Sequence, residues 1–280
     1  MTTAGIYMFT FVDTIFDYSQ TNDLHLSGQV DAAGFAFAVT DDTGRVKALK
    51  RLAYPRAVLS YDDEAKELAA LFEQEPLLHQ TYKSGTWAFL SNKTTLIPAA
   101  LADTAQLRTG LAYAAPLDEL DEIHYRTLPD LQAMLVFAVP SPQAGVIMKY
   151  QPGTRFVHPH VQLLSQFNDL EGNDRLVLHF AQSLADVELY RDNALLLSNT
   201  CPFTAFTDLV YYLVFILQQY KLRTHYVTLY YTGTLQEEQQ DLLQRYFRNV
   251  KSLYAATAAM QIGMAAAVSY HSLLILPQCE

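Results

Sequence analysis

The chain has 280 residues, half of them hydrophobic and 17% charged, which is enough apolar mass for a sizeable core and excludes global disorder. A formal net charge of -10, with no dense run of Lys or Arg, argues against a broad nucleic-acid surface or an anionic-membrane surface. Two cysteines, Cys201 and Cys279, form no CxxC, so neither a zinc knuckle nor a disulfide framework is indicated and a reducing, cytoplasmic setting is expected.

The first 21 residues are aromatic and patterned as a strand or short helix, and no basic segment precedes them as a signal peptide would require. Leu24, Leu26 and Val30 predict a first strand, with a turn at Asp31–Gly34 and a second strand over Phe35–Val39. Asp41, Asp42, Thr43 and Gly44 predict a turn, because Gly accepts positive φ and Asp bonds its own backbone. Val46 to Tyr54 reads as the third strand. A helix capped by Ser60 or Asp62 follows, with Leu68, Leu71 and Phe72 on one face. Thr86–Leu90, Thr94–Ile97 and Met134–Val139 read as strands, residues 99–130 as helical or irregular, and Asp118–Glu122 as a solvated acidic face. Val146–Tyr150 reads as a short helix, Arg155–Val157 as a short strand, and His158-Pro-His160 leads into a helix through Val161, Leu164 and Phe167. The polar segment Asn168–Asp174 is the expected boundary between two units, 1–170 and 171–280.

The stretch Arg175–Thr234 has the clearest pattern. Leu176 to Phe180, Ala185 to Tyr190 and Ala194 to Ser198 predict three strands, the last two joined by a two-residue hairpin turn at Asp192-Asn193. An apolar helix capped by Thr204 or Thr207 follows, expected to lie buried between layers, and Tyr226–Tyr231 returns as a fourth strand. Its longest apolar run, Leu209–Leu217, is too short for a membrane span. Leu235–Val250 predicts a helix, Gln261–Ser269 a small-residue helix, and Leu273–Leu276 a last short strand.

The order strand, strand, strand, helix, strand thus occurs twice, once from Asn22 and once from Arg175, which indicates an internal duplication. It resembles the actin-like ATPase fold, two ribonuclease-H-like halves around a nucleotide cleft, each a mixed five-stranded sheet flanked by helices. Within the second half, Leu195 to Asn199, Phe203-Thr204, Asp208 to Tyr212 and Gln218-Gln219 resemble a family of uncharacterised bacterial proteins of unknown function that share that fold.

The resemblance implies two phosphate loops, each a hairpin turn with Asp, Gly and a hydroxyl, because backbone N–H groups approach the phosphates and the Asp holds the Mg²⁺ shell. The first turn, Gln29–Gly34, has Asp31 and Gly34 but not the Asp-x-Gly spacing. The second, Ala181–Asp186, has no glycine, and the strand end at Thr232–Thr234 has the single Gly233. The resulting reading is an actin-like scaffold without catalysis that binds an unidentified protein and needs no cofactor. The alternative is a weak ATP–Mg²⁺ binder using Asp31, Gly34 and Gly233. No nucleic-acid partner is expected. Other chemistry reads as structural. His158 and His160 lack a nearby acidic or Cys partner in sequence, Glu188 stands alone within a strand, and Cys201 reads as a small buried hydrophobe. In each pair Tyr211-Tyr212 and Tyr230-Tyr231, one ring is expected in the core and one at its edge.

Overall fold

Period-two alternation places large apolar side chains on one face of a strand and small or polar ones on the other, and both halves of this chain are built on it. The computed structural model describes residues 7–57, 60–166, 170–181 and 183–278. Phe167, Asn168, Asp169, Gln182 and Cys279 lie outside the described residues, as do the first six.

The chain opens with β1 (Tyr7–Val12), β2 (His25–Asp31), β3 (Gly34–Thr40) and β4 (Val46–Ala53). Helix α1 (Tyr61–Gln74) is capped by Ser60, whose hydroxyl accepts from the Asp63 N–H at 3.2 Å. Next come β5 (Ser84–Phe89), β6 (Thr94–Pro98), α2 (Leu107–Ala112), β7 (Asp121–Leu128), β8 (Ala133–Pro140), α3 (Ser141–Tyr150), β9 (Arg155–Val157) and α4 (His160–Gln166). The second half runs β10 (Asp174–Ala181), β11 (Leu184–Arg191), β12 (Ala194–Pro202), α5 (Phe206–Gln219), β13 (Thr228–Gly233), α6 (Glu237–Tyr246) and β14 (Asn249–Ser252). Helices α7 (Ala256–Ile262), α8 (Met264–Ser269) and α9 (His271–Leu274) close the described chain.

Strand order is β1-β4-β3-β2-β5-β9 in the first sheet and β12-β11-β10-β13-β14 in the second. Without β1 the two orders are the same: an antiparallel meander, a crossover to a strand parallel to the first, and a further parallel strand beyond it. The duplication is therefore present in topology. The first sheet has six strands rather than five, because β1 adds antiparallel to the open edge of β4. Where the second half has only α6 between its last two strands, the first inserts a separate sheet of order β6-β8-β7.

In β3, Phe35, Phe37 and Val39 face α1 and α3, whereas Ala36 and Ala38 face the other half. In β10, Leu176, Leu178 and Phe180 pack beneath α5, and Val177 turns towards the first half. One core joins the halves: Ala36, Leu49 and Ala88 meet Val177, Tyr190 and Tyr230, with α9 and Leu164 between them.

Several elements differ from the sequence expectation. Strand β7 lies within the segment read as helical or irregular, and Asp121 on it is buried, not solvated, because Lys93 Nζ donates to it at 2.6 Å and Tyr61 at 2.8 Å. Val250 sits in β14 rather than in a helix, pairing with Leu229 of β13. Leu273–Leu276 continues from α9 into a 3₁₀ turn, not a strand, and packs across β2 and β3 instead of pairing at an edge. Helix α5 is not enclosed: Leu213 is 0% exposed but Tyr211 is 74% exposed. Tyr230 and Tyr231 are both buried. The hairpin at Asp192-Asn193 is as expected, with φ of 48° and 65°.

The one-sided burial of α5 predicts that Leu213→Ala lowers stability by about 2–5 kcal/mol. Tyr211→Ala should stay within about 0.5 kcal/mol of wild type. Urea denaturation measures both.

Candidate functional site

A cleft of about 520 Å³ separates the halves. The first sheet contributes Gln29, Asp31, Ala36 and Arg51, the second His179 and Phe180, and the C-terminal helices Ala266, Tyr270 and Ser272. Of the residues the sequence singled out, Asp31 lines this cleft, whereas Gly34 and Gly233 do not.

Asp31 is the last residue of β2, and its side chain is engaged locally. Its Oδ1 accepts the Ala33 N–H at 2.9 Å and the Arg51 guanidinium at 2.7 Å. The Ala33 amide in this turn is thus engaged by a carboxylate. Gly34 has φ of 145°, and a Cβ there would stand 2.1 Å from the Leu52 carbonyl oxygen. Gly233 has φ of 93°, and its Cβ would stand 2.1 Å from the Phe180 carbonyl oxygen. Both glycines let backbone pass close to backbone within a sheet. The second turn is narrower than expected: β10 continues to Ala181 and β11 begins at Leu184, which places Asp186 inside a strand.

That shift in β11 reveals a group of side chains that sequence reasoning missed. Ala185, Val187 and Leu189 face α5, so Asp186, Glu188 and Tyr190 face the junction of the halves. His179 on β10 is directly opposite Asp186 and its Nδ1 lies 2.9 Å from Asp186 Oδ2. Thr200 on β12 donates to Asp186 Oδ1 at 2.7 Å. From the other side the turn after β9 brings His158 and His160. His160 Nε2 lies 3.1 Å from Asp186 Oδ2 and 3.2 Å from Glu188 Oε1, ion-pair distances that are not directed as hydrogen bonds. His158, His160, His179, Asp186 and Glu188 are all buried, with Asp186 the most accessible at 7%.

The acidic partners that His158 and His160 lack locally therefore arrive from a strand of the second half, and Glu188 does not stand alone. The signal was available as alternation in the predicted strand Ala185–Tyr190, which puts Asp186 and Glu188 on one face. Among the described residues, no three His, Cys, Asp or Glu side chains are grouped so as to hold a metal ion.

The electrostatics follow from burial and charge. Burial alone would lower the basicity of His160, but Asp186 and then Glu188 more than reverse this and raise its pKa to about 9. Burial would also raise Asp186, yet His160 and His179 hold it well below the usual carboxylate range. Glu188 is pushed up to about 8, by burial first and by Asp186 against the opposing pull of His160. His158 falls to about 3 through burial and the neighbouring His160 charge, so it is neutral. Its Nδ1 accepts the His160 backbone N–H at 3.3 Å, which puts the His158 proton on Nε2. Near neutrality His160 is an imidazolium, Asp186 a carboxylate and Glu188 largely a carboxylic acid. Cys201 is buried and its thiol is pushed up, by burial first, so it has the character of a small hydrophobe rather than a nucleophile.

Removing one member of a buried ion pair leaves the other uncompensated. Asp186→Asn is expected to cost about 3–5 kcal/mol of stability. Asp208→Asn, on the exposed face of α5, should stay within about 0.5 kcal/mol, and urea titration compares them.

Comparisons with known proteins agree with this architecture. Among solved structures, a Bacteroides thetaiotaomicron protein described as having an actin-like ATPase fold and unknown function superposes with a TM-score of 0.74 at 19% identity, over 93% of this chain and 98% of that one. A PilM–PilN type IV pilus biogenesis complex contains a chain that superposes with a TM-score of 0.60 at 12% identity, over 90% of this chain and 97% of that one. These likenesses establish an actin-like ATPase fold. No curated protein matches the sequence. The family described as "Protein of unknown function (DUF3822)" matches residues 13–250. With most of its length accounted for by that family, and with the fold that the residue pattern implied, the chain belongs to DUF3822.

Proposed function

We propose that this protein is a non-catalytic scaffold of actin-like fold that binds another protein. The observation that carries this reading is the state of the first phosphate turn. The Asp31 carboxylate caps the Ala33 amide and pairs with Arg51, so neither the acid nor the amide is presented to a nucleotide. The geometry of Gly34 and Gly233 supports it, since both serve backbone packing. A protein partner is supported by the PilM neighbour, whose structure is that of a complex with PilN. The division into units 1–170 and 171–280 belongs to the same proposal, with α8 and α9 of the second unit docking back on the first sheet. No helix among the described residues is long and apolar enough to cross a membrane, and a cytoplasmic setting is part of the proposal.

One observation favours the alternative of weak ATP–Mg²⁺ binding: the cleft has room, and Asp31 and Thr234 line it together. Isothermal titration with ATP and Mg²⁺ separates the two. The scaffold reading expects no saturable heat up to a Kd of about 1 mM. Micromolar binding that Arg51→Ala or Asp31→Ala alters would establish the alternative instead.

A further inference from the structure

The duplicated plan leaves one position filled in the first half and open in the second. Strand β4 of the first sheet and β12 of the second hold the same place, at the outer side of the meander. The far edge of β4 is taken by β1, which adds antiparallel from outside the repeated unit. Its Tyr7 and Val12 pack on the α1 side, and its Phe9 and Phe11 on the junction side. No described strand pairs with the far edge of β12.

An edge strand presents alternate backbone N–H and C=O groups to any extended chain, and proteins blunt such edges with brevity, charge or proline. Strand β14 is four residues long and carries Lys251, β9 is three long and carries Arg155, and β7 exposes Glu122 and Arg126. Strand β12 is nine residues long and uncharged, with its proline at the last position. Its register shift lies near its start, where the Tyr220 hydroxyl donates to the Leu196 carbonyl at 2.9 Å. Leu195 there packs on the shared core, as does Leu96 of β6, a strand with which β12 does not pair. The open part of the edge runs from Leu197 to Pro202.

A pocket adjoins that part. Between β12 and α5 a hollow of about 300 Å³ is lined by Asn199, Cys201, Phe203, Asp208, Leu209 and Tyr212. Asn199 bridges its two walls, donating to the Tyr212 hydroxyl at 3.0 Å. Helical spacing puts Asp208, Tyr211, Tyr212 and Phe215 on one stripe of α5, and Tyr211 and Phe215 are exposed. On the scaffold reading, which this deepens and rests on, we propose that the β12 edge and the pocket form a strand-addition site. It takes an extended segment of another protein, with an apolar side chain for the pocket and a Lys or Arg beside it for Asp208.

The charges choose between a foreign segment and a second copy. From Ala194 to Gln219 the chain has no Lys, Arg, His or Glu, and Asp208 is the only charge. No described residue pairs with the Asp208 carboxylate. A two-fold contact between copies would bring the same patch to itself and leave both carboxylates without a cation. A partner strand with a basic residue supplies one, and a net charge of -10 favours the approach of such a segment over self-association. Main-chain hydrogen bonds give the affinity, and the pocket selects among the side chains on one face of the added strand. Strand β1 shows the expected sense, antiparallel to the edge it joins.

The test selects a phage-displayed library of random dodecapeptides on the full-length protein and synthesises the enriched sequences. The expected peptides alternate apolar residues, carry Lys or Arg beside the anchor, and protect the amides of Leu197 to Cys201 from hydrogen exchange. Asp208→Asn, on the exposed face of α5, should weaken them by about two- to fivefold and flatten their salt dependence. Asp208→Lys should prefer the peptide in which Glu replaces that base. The proposal is overturned if no peptide is enriched, or if Asp208→Lys binds both peptides as the wild type does. A concentration-dependent dimer in sedimentation equilibrium that protects the same amides also overturns it, because the edge then belongs to a second copy. Peptides that protect only other elements overturn this site and leave the scaffold reading standing. Micromolar ATP binding in the cleft, with strand addition retained, overturns the nucleotide-free part of that reading and not this site.

Discussion

Two carboxylates on the inner face of one strand impose a requirement that local sequence cannot meet. Asp186 and Glu188 are two residues apart on β11, both point to the junction, and both are shielded from water. An ionised carboxylate in such a place needs a cation or several donors. The strand beside it offers His179 and the edge strand Thr200, and the remaining charge has to come across the junction from His160. That requirement fixes how the halves lie on one another. The turn after β9 has to deliver His160 to β11, and the hydrophobic contacts of Val161, Leu163 and Leu164 in the shared core hold it there.

Around that junction the architecture uses one plan twice and modifies it unevenly. The matching strand orders show where the plan is conserved, and the three-stranded sheet between β5 and β9 shows where it was extended. The same unevenness affects the turns. In the second half the β10–β11 turn is short and begins beside Phe180, whose carbonyl lies against Gly233. In the first half Asp31 closes its own turn and salts down Arg51. Both turns stabilise strand ends.

The parts of this fold that were legible in the sequence are those whose determinants are close in the chain. The meander from Leu24 to Tyr54 and the one from Arg175 to Ser198 show period-two alternation and strong turn residues, and Ser60 marks the start of α1 three residues before the amide it caps. The parts that were not legible depend on distant partners. Asp121 looked like solvated acid because Lys93, which neutralises it, is 28 residues away. Leu273–Leu276 is as apolar as a strand, and only the faces of β2 and β3 decide that it is a helical turn. His160 looked unpartnered because its carboxylates arrive from the other half after a turn, a helix and a strand. Asp186 was read both as the end of the turn Ala181–Asp186 and as part of the strand Ala185–Tyr190, and its role shows only when the partner that faces it, His160, is in place.

The return of α9 to the first sheet has a consequence for biosynthesis. Its Leu273 and Leu274 join Leu164, Val177, Tyr190 and Tyr230 in covering the inner face of a sheet whose own strands begin at Tyr7. During translation the N-terminal strands emerge well before α9, and the part of the face that α9 covers stays bare until that helix follows. Removing α9 would take away only one short helix and yet uncover part of a sheet more than 200 residues earlier in the chain.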